Sequence, residues 1–222
     1  MSQSFDFRVA LLTYFGFLVA LTMHEAAHAF MAKFLGDNSA ETAHRATINP
    51  IPHIDLWGTL VFPGIMILSP MAMPIVFGWA KPTNFDPNYF KKMKRGINLV
   101  SLAGPGTNFL IAILCGIAIK IMGTNISIFE LRAFNVAADP ISGLLGFTAI
   151  SNVVIGVLNF LPFPGSDGWR ILLNSINYNW AQKLNQSAFM VSMGMLLLLF
   201  LGVFNPIIGG CLYLYGMIFG LI

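Results

Sequence analysis

The feature that most limits what this chain can fold into is an apolar run from Phe7 to about Leu35 with ionisable groups in its second half, His24-Glu25-Ala26-Ala27-His28. The run is long enough for a helix that crosses a bilayer. On a helix, His24 and His28 lie one turn apart on one face, so both imidazoles reach a single Zn²⁺ ion, with Glu25 beside them. An acidic side chain at the bilayer centre costs roughly 2.5 kcal/mol or more, so ionisable groups retained there mark a functional site by default. Two histidines leave a metal site incomplete, and a third ligand has to come from elsewhere in the chain.

Composition agrees with a lipid environment. Of 222 residues, 56% are hydrophobic and 9% charged, against about 25% charged in ordinary globular chains. The expected architecture is an all-α polytopic membrane protein of about five transmembrane helices plus a re-entrant segment and a short membrane-associated extended stretch. Residues 1–222 are expected to form one membrane-embedded domain, with a core at about 9–170 and a C-terminal helical hairpin at about 188–222. Cys115 and Cys211 lie in apolar runs and read as small core residues. Asp6 and Arg8 precede the segment that holds the metal motif, so the start is expected to lead into a membrane helix rather than to be a cleaved signal peptide. Five of the twelve basic residues fall between Lys81 and Arg95, which fits an inner-face excess of cations better than a nucleic-acid surface.

Further along, residues 37–56 are the most polar stretch and contain Glu41, His44, Arg45, His53 and Asp55. His44 and His53 read as extra metal ligands, as polar groups at the mouth of a site, or as ordinary surface histidines. Trp57 to Gly78 is apolar but interrupted by Pro63, Pro70 and Pro74, which points to a broken helix or a re-entrant loop. Clear apolar segments follow at Ile97–Met122 and about Ile141–Leu161, the first carrying Asn108, which needs a buried partner. Pro162 and Pro164 then end the helix and present Asp167 on irregular backbone.

A third ligand has to lie at the depth of the two histidines. If Trp57–Gly78 crossed the membrane completely, the helix ending near Leu161 would exit on the wrong face and Asp167 would never meet His24 and His28. If it enters and returns on the inner side, Asp167 arrives beside them. Charge supports the second path, which places Lys33, Arg45, Lys81, Lys91, Lys92, Lys94, Arg95, Arg170 and Lys183 inside and leaves Arg8, Lys120 and Arg132 outside. Both chain ends follow from it, the amino terminus outside and the carboxyl terminus inside.

Taken together, these residues resemble the site-2 protease family of intramembrane zinc metalloproteases. The likeness rests on His24 to His28 as the membrane-embedded HExxH, and on Asn159, Pro162, Asp167 and Gly168 as the N-x-x-P-x-x-x-x-D-G element. Asn49-Pro50 with His53-Ile54-Asp55, Gly78-Trp79-Ala80-Lys81-Pro82 and Ala103-Gly104-Pro105 are similar to the short prokaryotic branch that lacks a PDZ or CBS domain. The resemblance implies one Zn²⁺ per chain held by His24, His28 and Asp167, with Glu25 as general base on a zinc-bound water. It implies substrate contacts at Asn159 and along the extended segment with Gly78 and Trp79, and His53 is grouped with them. Expected partners are single-pass transmembrane substrates and the bilayer, with no nucleic acid, in the plasma membrane and with the active site toward the cytoplasm. The competing reading is a zinc-binding membrane protein without hydrolysis, or a metal transporter; the helices offer no ligands beyond this cluster to line a transport path.

Overall fold

The computed structural model describes residues 7–68, 76, 78–124, 127 and 139–222. In chain order the described helices are α1 (Phe7–Phe34), α2 (Ala40–Arg45), α3 (Phe62–Leu68), α4 (Met93–Met122), α5 (Pro140–Phe160), α6 (Asp167–Ser175), α7 (Tyr178–Gln186), α8 (Ala188–Phe200) and α9 (Asn205–Phe219). No strand occurs among the described residues.

Among the described residues, three helices are long and apolar enough to cross a membrane: α1 with 28 residues, α4 with 30 and α5 with 21. At 1.5 Å per residue they measure about 42, 45 and 32 Å, against a hydrocarbon core of about 30 Å. All three pack on one another. α1 and α4 are antiparallel, since Val9 shares a buried cluster with Ile119 at one end while Ala32 packs with Val100 at the other. Gly16 is where α1 meets α5 most closely: a β-carbon there would lie 2.8 Å from the Phe147 carbonyl carbon and the Thr148 nitrogen. Only a residue without a side chain permits that approach.

The chain between α1 and α4 leaves and returns at one end of the bundle. Asp37, just past α1, accepts hydrogen bonds from the Ser39 amide (2.9 Å), the Thr42 hydroxyl (2.7 Å) and the Asp86 amide (2.9 Å). Within this stretch, Leu56–Val61 forms a π-helical turn whose first amides are capped by Asp55, and α3 continues it. The return is fixed by backbone pairing: the Trp79 amide donates to the Gly58 carbonyl (3.1 Å) and the Lys81 amide to the His53 carbonyl (2.9 Å). The two ends of the excursion are therefore closed against each other; residues 69–75 and 77, on which the re-entrant expectation falls, lie outside the described residues.

In the stretch expected to form a C-terminal helical hairpin, about 188–222, lie α8 and α9, with 13 and 15 residues, against the roughly 20 of a straight crossing. Apolarity runs through the whole stretch, but Gly202, at φ 72°, ends α8 in a turn that a composition count does not register. The direction of α9 also differs from the expected return. Phe204, just before α9, lines a cavity with Val154 and Leu158, whereas Phe219 lies against Gly116, close to the far end of α4. Leu221 belongs to the cluster that holds Val9 and Ile119. The carboxyl terminus thus sits at the end of the bundle from which α1 starts, not at the opposite end.

Candidate metal centre

α1 turns His24 and His28 toward α4, and each is only 3% exposed. α6 begins at Asp167, which a helix N-cap delivers: the Ser166 hydroxyl oxygen accepts from the Trp169 amide (3.1 Å) and donates to the Phe163 carbonyl (2.8 Å). Asp167 is therefore the first residue of a helix, where an anion is favoured, and not part of an irregular loop. The three side chains converge. His24 Nε2 and His28 Nε2 are 3.1 Å apart, and Asp167 Oδ2 lies 3.0 Å from the first and 3.2 Å from the second.

The partners of the other ring nitrogens decide what these atoms are. His28 Nδ1 is 2.7 Å from the Val100 carbonyl, which only accepts, so Nδ1 carries the proton. His24 Nδ1 lies 2.6 Å from Asn108 Oδ1. The amide orientation is fixed because Asn108 Nδ2 donates to the Ala20 carbonyl (3.0 Å) and to Asn152 Oδ1 (2.8 Å), so Oδ1 again accepts from the imidazole. With both rings neutral, the two Nε2 atoms present lone pairs to each other and to Asp167 Oδ2, a buried oxygen for which no hydrogen bond is found among the described residues. Three donor atoms converging in this way suit a shared cation.

Zinc fits this cluster. Ligands at about 2.0–2.1 Å in a tetrahedron lie on the order of 3.4 Å apart, close to the spacing found here, and a His, His, carboxylate set is a zinc donor set with a position left open. Gly104 of α4 completes the cradle, since a β-carbon there would stand 2.5 Å from His28 Nε2 and 2.6 Å from His24 Cε1.

Glu25 stands beside the cluster, with its carboxylate and the two imidazoles all within 4.8 Å of one another. Its Oε2 accepts from the Thr83 amide (2.7 Å), and the Thr83 hydroxyl donates to the Glu25 carbonyl (3.2 Å). The segment that carries Thr83 is held by α2: Arg45, 2% exposed, donates through Nη1 to the Pro52 carbonyl (2.7 Å) and to the Lys81 carbonyl (3.0 Å). Residues 79, 81 and 83 thus all bond toward the protein, and the Trp79 carbonyl accepts from the Thr59 hydroxyl at 2.9 Å. Among the described residues, the alternating positions Gly78 and Ala80 have no hydrogen-bond partner for their backbone groups. Such alternation is the bonding pattern of an edge strand.

Asn159, Gly78 and Trp79 come together on one cavity of about 380 Å³, bounded also by α8. Asn159 Nδ2 donates to the Ile155 carbonyl (3.0 Å), which leaves its oxygen to the cavity side. His53 is not brought there. It is 2% exposed, its Nε2 lies 3.0 Å from the Thr47 carbonyl, and its backbone carbonyl takes the Lys81 amide. His44 is exposed on α2 and belongs to neither group. Sequence reading did not assign Asn108, Asn152, Thr83 or Arg45 to the site. Asn108 carried a signal, a polar group at membrane depth, whereas Thr83 acts on the Glu25 carboxylate through its backbone amide and leaves none.

Comparison with known proteins leads to zinc metalloproteases. The chain is 32% identical over 170 residues, 77% of its own length and 71% of the relative's, to "Putative zinc metalloprotease YwhC" of Bacillus subtilis (strain 168). The chain belongs to this zinc metalloprotease family. The metalloprotease also matches "Putative zinc metalloprotease Rip2" of Mycolicibacterium smegmatis, 32% identical over 174 residues, covering 76% of the chain and 59% of that protein. Rip2 of Mycobacterium tuberculosis (strain ATCC 25618 / H37Rv) is 32% identical over 162 residues, covering 71% of the chain and 54% of that protein. No family model and no solved structure matches the metalloprotease.

Proposed function

We propose that this protein is an intramembrane zinc endopeptidase of the site-2 type, hydrolysing peptide bonds of transmembrane segments near the cytoplasmic face. The observation that carries the reading is the convergence of His24 Nε2, His28 Nε2 and Asp167 Oδ2 within 3.2 Å of one another, inside a bundle of apolar helices and next to Glu25. His24, His28 and Asp167 would hold the ion, with Glu25 beside it. Zinc bound there supplies Lewis acidity that polarises a carbonyl and acidifies water toward neutral pH.

The chain's own residues do the rest. Glu25 takes up the proton of the attacking water at Oε1, because Oε2 is anchored by the Thr83 amide. A substrate helix keeps its carbonyls bonded within itself and has to unwind before cleavage. The unpaired backbone of Gly78 and Ala80 offers replacement bonds by strand addition, and Asn159 at the cavity rim orients the peptide. The basic residues at the α4 start, Lys91, Lys92, Lys94 and Arg95, are all exposed and support an inner-face position for the end of the bundle that holds the site.

The test is reconstitution of the purified protein with zinc and a panel of transmembrane peptides, comparing wild type with Glu25→Gln. Cleavage by wild type and at least a hundredfold loss in the variant are expected, with equal zinc content. Equal zinc with no difference in cleavage would reject proteolysis, and unchanged zinc in Asp167→Ala would remove Asp167 from the ligand set.

A further inference from the structure

The cavity beside the metal centre has a property that the hydrolytic chemistry does not require. Leu21 lines it one helical turn from His24, about 5 Å along α1. Gly78 lines it from the extended segment whose backbone at Gly78 and Ala80 has no hydrogen-bond partner among the described residues. A peptide strand added to that edge rises about 3.3 Å per residue and turns alternate side chains to opposite faces. One side chain, within about two residues of the scissile bond, therefore points into the cavity. The opposite wall is built by α8, through Ser192, Met195 and Leu199. The lining is otherwise apolar apart from Asn159, so a charged side chain entering it would lose its hydration without a counter-charge. With about 380 Å³ available, the cavity admits even the largest apolar side chain, which gains more contacts with the lining than a small one.

We propose that this cavity is the specificity subsite of the enzyme: it takes one large apolar side chain, leucine, methionine or phenylalanine, of the unwound substrate segment, and α8 sets its size. The inference rests on the proteolytic reading above.

The experiment uses the full-length, zinc-loaded protein in liposomes and one cleavable transmembrane peptide whose scissile bond has been mapped by mass spectrometry. Each position within two residues of that bond is set in turn to Phe, Leu, Ala or Asp. At one position, Phe or Leu should exceed Ala by 10- to 100-fold in kcat/KM, with Asp uncleaved. Leu199→Trp and, independently, Met195→Trp narrow the cavity and should erase the Phe-over-Ala preference at that position, the Phe and Leu peptides losing far more in kcat/KM than the Ala peptide. Zinc content reports that each variant is folded. A wild-type enzyme that cleaves with no side-chain preference, or a preference unchanged in both variants, overturns the subsite and leaves proteolysis standing. No cleavage of any peptide overturns the proteolytic reading, and the subsite with it.

Discussion

Asn108 is the residue through which the reasoning about the metal centre is most exposed to refutation. Its Oδ1, 2.6 Å from His24 Nδ1, fixes the tautomer that leaves Nε2 free for a metal. In Asn108→Ala the ring faces two unfavourable choices. It keeps the Nδ1 proton as a buried donor without an acceptor, at about 1–3 kcal/mol, or it moves the proton to Nε2 and ceases to be a ligand. The His28 bond to the Val100 carbonyl is untouched, so the loss is confined to one ligand. Outer partners of metal-bound histidines are worth about 10- to 100-fold in affinity, about 1.4–2.8 kcal/mol, which matches the desolvation figure reached separately. Competition of the purified protein against a chromophoric chelator should therefore show zinc binding weakened 10- to 100-fold. Asn108→Asp, which retains an acceptor at the same place, should bind zinc more tightly than the alanine variant. A folded Asn108→Ala protein whose affinity stays within twofold of wild type would show that the tautomer argument is wrong.

Gly104→Ala sets a methyl group 2.5 Å from His28 Nε2, and the rings are pinned by their Nδ1 bonds, so zinc stoichiometry measured by mass spectrometry should collapse while helix content is kept. Asp37 links stability to pH: burial raises its pKa, but bonds from the Thr42 hydroxyl and the Asp86 and Ser39 amides outweigh that and hold it below the ordinary carboxylate range. Its contribution is complete above about pH 4, the unfolded value, and is lost as pH falls further through the folded value. Thermal melts in detergent should decline below that point in wild type and lose this component in Asp37→Asn. Arg45→Met strips donors from two carbonyls and loosens the segment that bears Thr83; kcat should fall more than KM rises, with zinc unchanged, and an unaltered kcat would detach the clasp from Glu25.

What the sequence disclosed and what it withheld divide along the range of the interactions. His24 and His28 were legible because a helix converts a spacing of four into a shared face. α1, α4 and α5 were legible as long apolar segments, with ends within a few residues of those found, the start of α4 being the widest miss. Asp167 was reached by asking at what depth a third ligand must lie. The support of the site was not legible, because it is non-local. Asn108 reaches a histidine 84 positions away, and Thr83 reaches Glu25 across 58. A backbone amide gives no residue-type signal, and neither does the burial of Arg45, which a charge count reads as one more surface cation. His53 invited a role by its chemistry; what it receives is a structural place, bonded along the clasp.

The contact at Gly16 works as a fulcrum. From there to His24 is eight residues along α1, an arm of about 12 Å, and at the fulcrum itself the backbones of α1 and α5 already touch. Rocking α1 by about 10° on that point would swing His24 through about 2 Å, as far as the bond that zinc makes to it. On the proteolytic reading proposed above, the two helices would be the fixed jaw, and whatever widens to admit a peptide strand, about 4.8 Å across, would move on the other side of the cavity, which would give substrate entry and metal retention to different parts of the molecule.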